Sequence, residues 1–334
     1  IMESYPAGLP FRTAEQFPAF SELVSDNAGC GKKAGYEACM RNLSVATIIA
    51  AQLKSDKDVK AEIGEILSLF QPYTPTVGTP ELKAQPMAGF VGAAGGSAVL
   101  DVPIVIGSVR QEGLIFVYEA FKKKALSTAM EDALMGLIYG VPDALKVIRE
   151  YPRTAADRTD ERNHTAVFAT DSLFHCAIRH TALSLSDGGQ RGAGKRSRRS
   201  SVHTYHFDHV ISFGDKFWLP SVPICVDAVC HSEELPFVFD ANYSVINASF
   251  TPREAVLATS MQTYWAAFAK SDSGDPGSAP TGELAPAGEA ELAWPEFDNV
   301  TEKALRFGIP NTVDQAEYRA KCQFWDDLGY KWVL

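Results

Sequence analysis

Residues 103–113 read Pro103-Ile104-Val105-Ile106-Gly107-Ser108-Val109-Arg110-Gln111-Glu112-Gly113. Up to Val109 this is a short β-branched run whose only polar side chain is Ser108. Such a run fits a strand buried on both faces of a parallel sheet, where neither surface meets water. Arg110 to Gly113 then read as a turn at the strand's end, with Glu112 in it.

Helical patterns lie on both sides of that strand. Upstream, Thr13 and Gln16 read as a capping box before Phe17, Phe20, Leu23 and Val24, with Gly29 as the stop. Residues 45–53 and 61–70 look like further helices. The apolar stretch from Pro86 to Gly107 is interrupted by two prolines and several glycines and reads as loop followed by strand, not as a membrane span. Downstream, residues 119–150 are helical with a break at Gly140 to Pro142. Asp171-Ser172-Leu173-Phe174 then reads as a cap for a helix running to Gly188.

Residues 187–201 form a polar loop whose basic cluster, Lys195-Arg196-Ser197-Arg198-Arg199, reads as a solvated surface insertion, with a processing-protease site as the alternative. Strand character returns over 202–213. Thr251-Pro252-Arg253-Glu254 combines a capping Thr, Pro at the first helical position and Glu at the third. Residues 271–290 read as a flexible loop, and a last helix is predicted over 315–327. Strands separated by long helical segments make an α/β sheet rather than a sandwich or a bundle. Strands are few for this length, however, and such a sheet needs further strands to cover its edge and faces.

The 334 residues carry 31 Lys and Arg against 41 Asp and Glu, a net charge of -10. An acidic excess argues against a nucleic-acid partner, because phosphate binding needs a basic face. No phosphate-binding glycine-rich helix start and no ligand cluster points to a nucleotide, a flavin or a metal. Six cysteines are even in number and none has CxxC spacing, so disulfides are the better reading. Cys30 with Cys39 is one candidate pair. Asn42, Asn163, Asn242, Asn247 and Asn299 each begin an Asn-x-Ser/Thr acceptor. Together these features point to a secreted or lumenal protein.

Two residues sit where acyl-transfer chemistry would want them. Such a site needs a nucleophile, an imidazole that takes its proton, and a carboxylate that holds the imidazole's tautomer. Glu112 follows a strand, and His231 lies in a loop far downstream, after the close pair Cys225 and Cys230. Taken alone, a Glu in a turn is usually solvated and a His in a loop is usually structural.

The segments around them resemble the type-B carboxylesterase (cholinesterase-like) family. Residues 106–113 look like the family segment that ends in Asp-Glu-Gly and supplies the triad acid, with Gln111 in place of the common Asp. Cys230-His231-Ser232-Glu233-Glu234-Leu235-Pro236-Phe237-Val238-Phe239 is similar to the segment in which the triad His precedes Leu-Pro-Phe-x-Phe, with Ser232 for the usual Gly. Ile1-Met2-Glu3-Ser4 resembles a strand end shortly after the family's nucleophile, and Cys30 with Cys39-Met40-Arg41 resembles its first disulfide loop, shorter here. Asp171-Ser172-Leu173-Phe174, the strand from Val202 to His209, Met261 to Ala269, Gly274-Asp275-Pro276 and Trp294-Pro295 match further markers in the family's order.

The resemblance implies an α/β-hydrolase fold. Residues 1–334 would then be one incomplete domain, the C-terminal part of the sheet with its covering helices and without the N-terminal strands. It implies a carboxylic-ester hydrolase with a Ser-Glu-His mechanism in which Glu112 and His231 are the acid and the base. It also implies a Cys176–Cys322 disulfide; a Cys225–Cys230 bridge is our own inference, with two free buried thiols as its alternative. No Gly-x-Ser-x-Gly occurs, and Gly95-Gly96-Ser97 is rejected as nucleophile because it lacks the second Gly and lies out of order. The serine is therefore expected from an N-terminal portion of the same hydrolase or from a companion chain, with a small-molecule ester as substrate, and this chain alone should be inactive. The competing readings are a non-catalytic adhesion or structural relative and a scaffolding subunit of an assembly. Phe116, Tyr118, Phe213 and Trp218 follow the two triad segments and are expected mostly in the core.

Overall fold

The β-branched run forms β4 (Ile104–Val109), the strand about which the rest is arranged. A computed structural model describes residues 1–31, 35–62, 73–90, 102–122, 125–186, 201–240, 246–280 and 291–331. Their elements begin with β1 (Met2–Glu3), β2 (Arg12–Thr13), α1 (Phe17–Asn27), α2 (Tyr36–Arg41), α3 (Val45–Glu62), β3 (Thr76–Val77) and α4 (Pro86–Phe90). After β4 come α5 (Glu112–Ala120), α6 (Thr128–Tyr139), α7 (Val141–Glu150), α8 (Arg162–Ala169), α9 (Cys176–Ser186), β5 (Val202–Phe207), α10 (Gly214–Trp218), α11 (Leu235–Phe239) and α12 (Pro252–Lys270). The chain closes with β6 (Ser278–Pro280), β7 (Glu291–Ala293), β8 (Lys303–Phe307), β9 (Thr312–Gln315) and α13 (Arg319–Leu328).

The main sheet has the order β1-β4-β5-β8-β9. β1, β4, β5 and β8 run parallel, and β9 returns antiparallel against β8. Side chains alternate across it. One face turns Val105, Val109, Tyr205, Phe207, Leu305 and Phe307 toward Leu257, Met261 and Tyr264 of α12. The other sets Ile106 and Val202 against Leu173, Phe174, Ile178 and Ala182. Burial on both faces is what an uninterrupted apolar run needs. At Gly107 the register places Tyr205 alongside, and a Cβ there would lie 2.2 Å from the Tyr205 ring.

Three disulfides stand in the structure, Cys30–Cys39, Cys176–Cys322 and Cys225–Cys230, with Cα separations of 5.7, 5.0 and 5.7 Å. The second ties α9 to α13 within a cluster that also holds Met135, Val147, Phe168 and Trp325.

Several element boundaries depart from the sequence reading. Thr13 and Gln16 do exchange bonds, Gln16 N to Thr13 Oγ1 at 3.3 Å and Thr13 N to Gln16 Oε1 at 3.0 Å. They close a turn before α1, whose N-cap is Gln16, so the helix begins after the motif and not within it. Asp171 caps nothing. The chain from Arg162 to Ser186 is continuously helical, and Asp171 lies in a π-helical stretch, Thr170–His175, where its carboxylate accepts from Tyr151 Oη at 2.8 Å. β5 ends at Phe207, because the Ile211 and Ser212 N–H groups go to the carboxylates of Glu233 and Glu254 instead of a ladder. Residues 312–315 are strand, and the last helix starts at Arg319. α3 runs unbroken to Glu62, while residues 63–70 of the next expected helix lie outside the described residues. So do Gly95-Gly96-Ser97, Asn242, residues 281–290 and all but Ser201 of the basic loop. The part of 271–290 that is described contains β6, paired antiparallel with β7. Thr251 does cap α12, in a complete box with Glu254.

Candidate active site

Glu112 is the first residue of α5, not part of a free turn. β4 delivers it at the carboxyl edge of the parallel sheet, the edge at which open α/β sheets place their ligands. The carboxylate is fully buried and both oxygens are used: Oε1 accepts from Val109 N at 2.8 Å and Oε2 meets His231 Nδ1 at 2.7 Å. α5 can nest this closely because residue 113 is Gly, whose N–H donates to Thr170 Oγ1 at 2.9 Å. A Cβ at Gly113 would lie 2.6 Å from the Ala166 carbonyl oxygen.

His231 reaches Glu112 because the preceding strand-like segment is tied to it. Gln111 N donates to Val229 O at 2.9 Å, and Val229 N donates to the Gln111 side-chain oxygen at 3.0 Å. Gln111 and Cys230 form an isolated parallel bridge. The Cys225–Cys230 disulfide then closes the loop immediately before His231. The Gln that replaces the family's common Asp is thus a direct clamp on the histidine segment. Nothing in spacing or periodicity marked it, and only its place beside Glu112 could have drawn attention to it.

With Nδ1–H donating to a carboxylate, Nε2 is the nitrogen able to accept a proton from a reacting hydroxyl. The side chain is 28% exposed, against 0% for Glu112. Burial lowers the imidazole pKa, but the Glu112 hydrogen bond and charge, with the charge of Glu234, outweigh it and raise the value above 6.5. Glu234 is itself buried and accepts from Ser4 Oγ at 3.1 Å. Burial and the charge of Glu112 push its carboxyl upward.

An aromatic wall flanks the imidazole. Phe116, one turn along α5 from Glu112, has its ring 4.9 Å from that of His231, and Phe174 of the π-helical stretch lies 5.8 Å away. Of the other aromatics singled out in sequence, Phe213 and Trp218 are core residues and Tyr118 stacks under the Arg162 guanidinium.

Among the described residues, two groups of side chains have the donor types of a cation site. They are Glu131, Glu161 and His164, and His206, Asp314 and Glu317. Each already holds an arginine: Arg153 lies 2.6 Å from Glu131 and 3.3 Å from Glu161, and Arg306 lies 2.8 Å from Asp314 and pairs with Glu317. Both therefore read as ion-pair networks. Among the described residues, Asn42, Asn163, Asn247 and Asn299 are exposed. No helix among them is long and apolar enough to cross a membrane.

The buried Glu–His pair at the end of a parallel strand is the arrangement that the family segments anticipate, and the sequence model of the carboxylesterase family matches residues 1–325. The chain belongs to the carboxylesterase family. It is 26% identical over 329 residues to the crystal protein of Dictyostelium discoideum, covering 98% of this chain and 53% of that one. It is likewise 26% identical over 332 residues to the cocaine esterase of Homo sapiens, covering 97% of this chain and 52% of that one. A solved structure of PNB esterase superposes with a TM-score of 0.61 at 24% identity, over 97% of this chain and 56% of that chain. That likeness shows the α/β-hydrolase fold of the carboxylesterase family. The chain spans about half the length of the curated relatives it matches.

Proposed function

We propose that this chain supplies the acid and base of a carboxylic-ester hydrolase whose nucleophilic serine lies outside these 334 residues, on an N-terminal portion of the same protein or on a companion chain. The observation that carries the reading is the 2.7 Å bond between His231 Nδ1 and the fully buried Glu112. His231 Nε2 takes the proton of the serine hydroxyl as its oxygen adds to the ester carbonyl, and returns it to the leaving alkoxide. Glu112 holds the tautomer and balances the imidazolium charge. In the second half, His231 deprotonates a water that hydrolyses the acyl-enzyme. The aromatic pair Phe116 and Phe174 supports an apolar ester, since rings beside the base favour a substrate that brings no charge there. The three disulfides and exposed Asn-x-Ser/Thr acceptors support a secreted or lumenal setting.

A second reading, a cholinesterase-like protein that binds without hydrolysis, draws on the absence of Gly-x-Ser-x-Gly from the sequence. Fluorophosphonate labelling of the native, non-reduced protein separates the two. Label on a serine outside residues 1–334, lost in His231→Ala, is the expected result. Folded native protein that takes no label would leave the binding reading in possession.

A further inference from the structure

The turn that carries His231 is gripped on both sides. Upstream stand the Gln111 clamp and the Cys225–Cys230 bridge described above. Downstream the grip is Glu233, fully buried two residues past His231. Its Oε1 accepts from Ile211 N at 3.0 Å and its Oε2 from Trp218 Nε1 at 2.8 Å, while its own N–H donates to Cys230 O at 2.9 Å. Ile211 belongs to the segment after β5, and Trp218 ends α10. One carboxylate therefore fastens the histidine turn to two separate pieces of the fold.

The choice of residue is informative. A buried carboxylate is costly unless it is hydrogen-bonded, and an apolar side chain would fill the same space without that cost. What a carboxylate adds is direction. Amide and indole N–H groups can only donate, so each oxygen is committed to one tether. Between the two grips, Ser232 holds a φ of 77°, a left-handed conformation that a non-glycine residue keeps only when its surroundings impose it.

We propose that Glu233 is a positioning residue for His231, holding the turn so that the imidazole stays on Glu112 and presents Nε2 to the nucleophile. The catalytic consequence rests on the esterase reading; the geometry does not. Burial above all, with the charge of Glu254 of α12 added, pushes the Glu233 carboxyl up to about 7, against the lowering by its two N–H partners. A proton on either oxygen would face an N–H donor and release that tether. The charged and titratable groups around the turn are Glu254, with its partner His209 at 3.1 Å, together with Glu112, His231 and Glu234.

The test compares full-length wild-type protein with Glu233→Gln, Trp218→Phe and the double variant. It reads kcat and KM on a p-nitrophenyl ester, the melting temperature, and the low-field NMR resonance of the His231 Nδ1 proton. Glu233→Gln sets an amide NH2 against one of the two donors. It should cut kcat by about tenfold to a hundredfold, the range for a small misplacement of a catalytic group, with KM little changed and the low-field signal broadened. The double variant, which removes the opposed indole N–H, should recover part of the loss. Glu233→Gln with wild-type kcat and an intact signal would overturn the proposal. If Glu233→Gln does not fold, Trp218→Phe alone decides: a broadened signal with reduced kcat supports the role, and wild-type values for both defeat it. Wild-type protein that shows the signal but hydrolyses no ester would remove the esterase reading, and loss of that signal in Glu233→Gln would still establish the positioning.

Discussion

Glu112 and His231, 119 residues apart in the chain, meet at 2.7 Å between Oε2 and Nδ1. The bond fixes a sign for the pH dependence. His231 titrates above 6.5 because Glu112 and Glu234 outweigh burial. A general base must be neutral, so activity should rise with pH through a limb lying above 6.5. Conversely, the stability that the pair contributes through His231 is complete below its unfolded value and fades as pH climbs through the raised folded value. In Glu112→Gln, burial dominates the imidazole and the limb should shift to lower pH, with kcat down about 10²–10⁴-fold from loss of the tautomer lock. Profiles of kcat/KM from pH 5 to 9 on unlabelled, active protein test this; an unmoved limb would show that Glu112 does not set the imidazole.

Gly107 makes a second expectation. Its missing Cβ is the space that the Tyr205 ring occupies, so Gly107→Ala must part β4 from β5 and should cost about 1–3 kcal/mol or more. Gly136 in α6 is the control, since its nearest neighbour beyond the helix would be Val141 Cγ2 at 3.9 Å. Gly136→Ala should stabilise by about 0.5–1 kcal/mol. Urea midpoints of the two variants should fall on opposite sides of wild type.

The Cys176–Cys322 bridge spans 146 residues, whereas Cys225–Cys230 spans 5. Constraint of the unfolded chain grows with loop length, so the pair Cys176→Ser and Cys322→Ser should lose about 2–5 kcal/mol. Cys225→Ser with Cys230→Ser should lose much less global stability and show itself instead in the His231 resonance. Equal losses from the two pairs would argue against the chain-constraint account.

Glu254 gives an acid-side prediction. Burial raises its carboxyl, but bonds from His209, Ser212 and Thr251 prevail and hold it down to about 2. A depressed carboxylate stabilises fully above its unfolded pKa, near 4.5, and that contribution is lost as pH falls toward 2. Glu254→Gln should therefore be clearly weaker than wild type at pH 6 and approach it near pH 2.5. A stability gap that stays constant across that window would assign the role of Glu254 to packing.

The strand before Glu112 was readable because a β-branched run has few other uses, and α12 because Thr251, Pro252 and Glu254 specify a start jointly. Asp171 shows the opposite case. An Asp ahead of an apolar run looks like a cap, and only the fold reveals that its carboxylate belongs to Tyr151. The candidate pair was legible only through its family segments, which implied that Glu112 and His231 meet; no spacing or periodicity in this sequence encodes that contact. Its supports were not legible, since Gln111, Glu233 and Thr170 act through partners distant in sequence that no local pattern encodes.

Arg110 and Asp208, 98 residues apart, pair at the end of the ladder that joins β4 to β5. Before its first rung can form, the chain must close that long intervening loop, and loop closure is an entropic cost met in advance of any reward. Folding should accordingly be slow, with the bare 104–109 segment exposed and able to pair with its like in other molecules while it waits. The carboxyl edge that presents Glu112 is thus assembled late, and how much protein reaches that point in a cell will be governed by the race between intramolecular closure and aggregation.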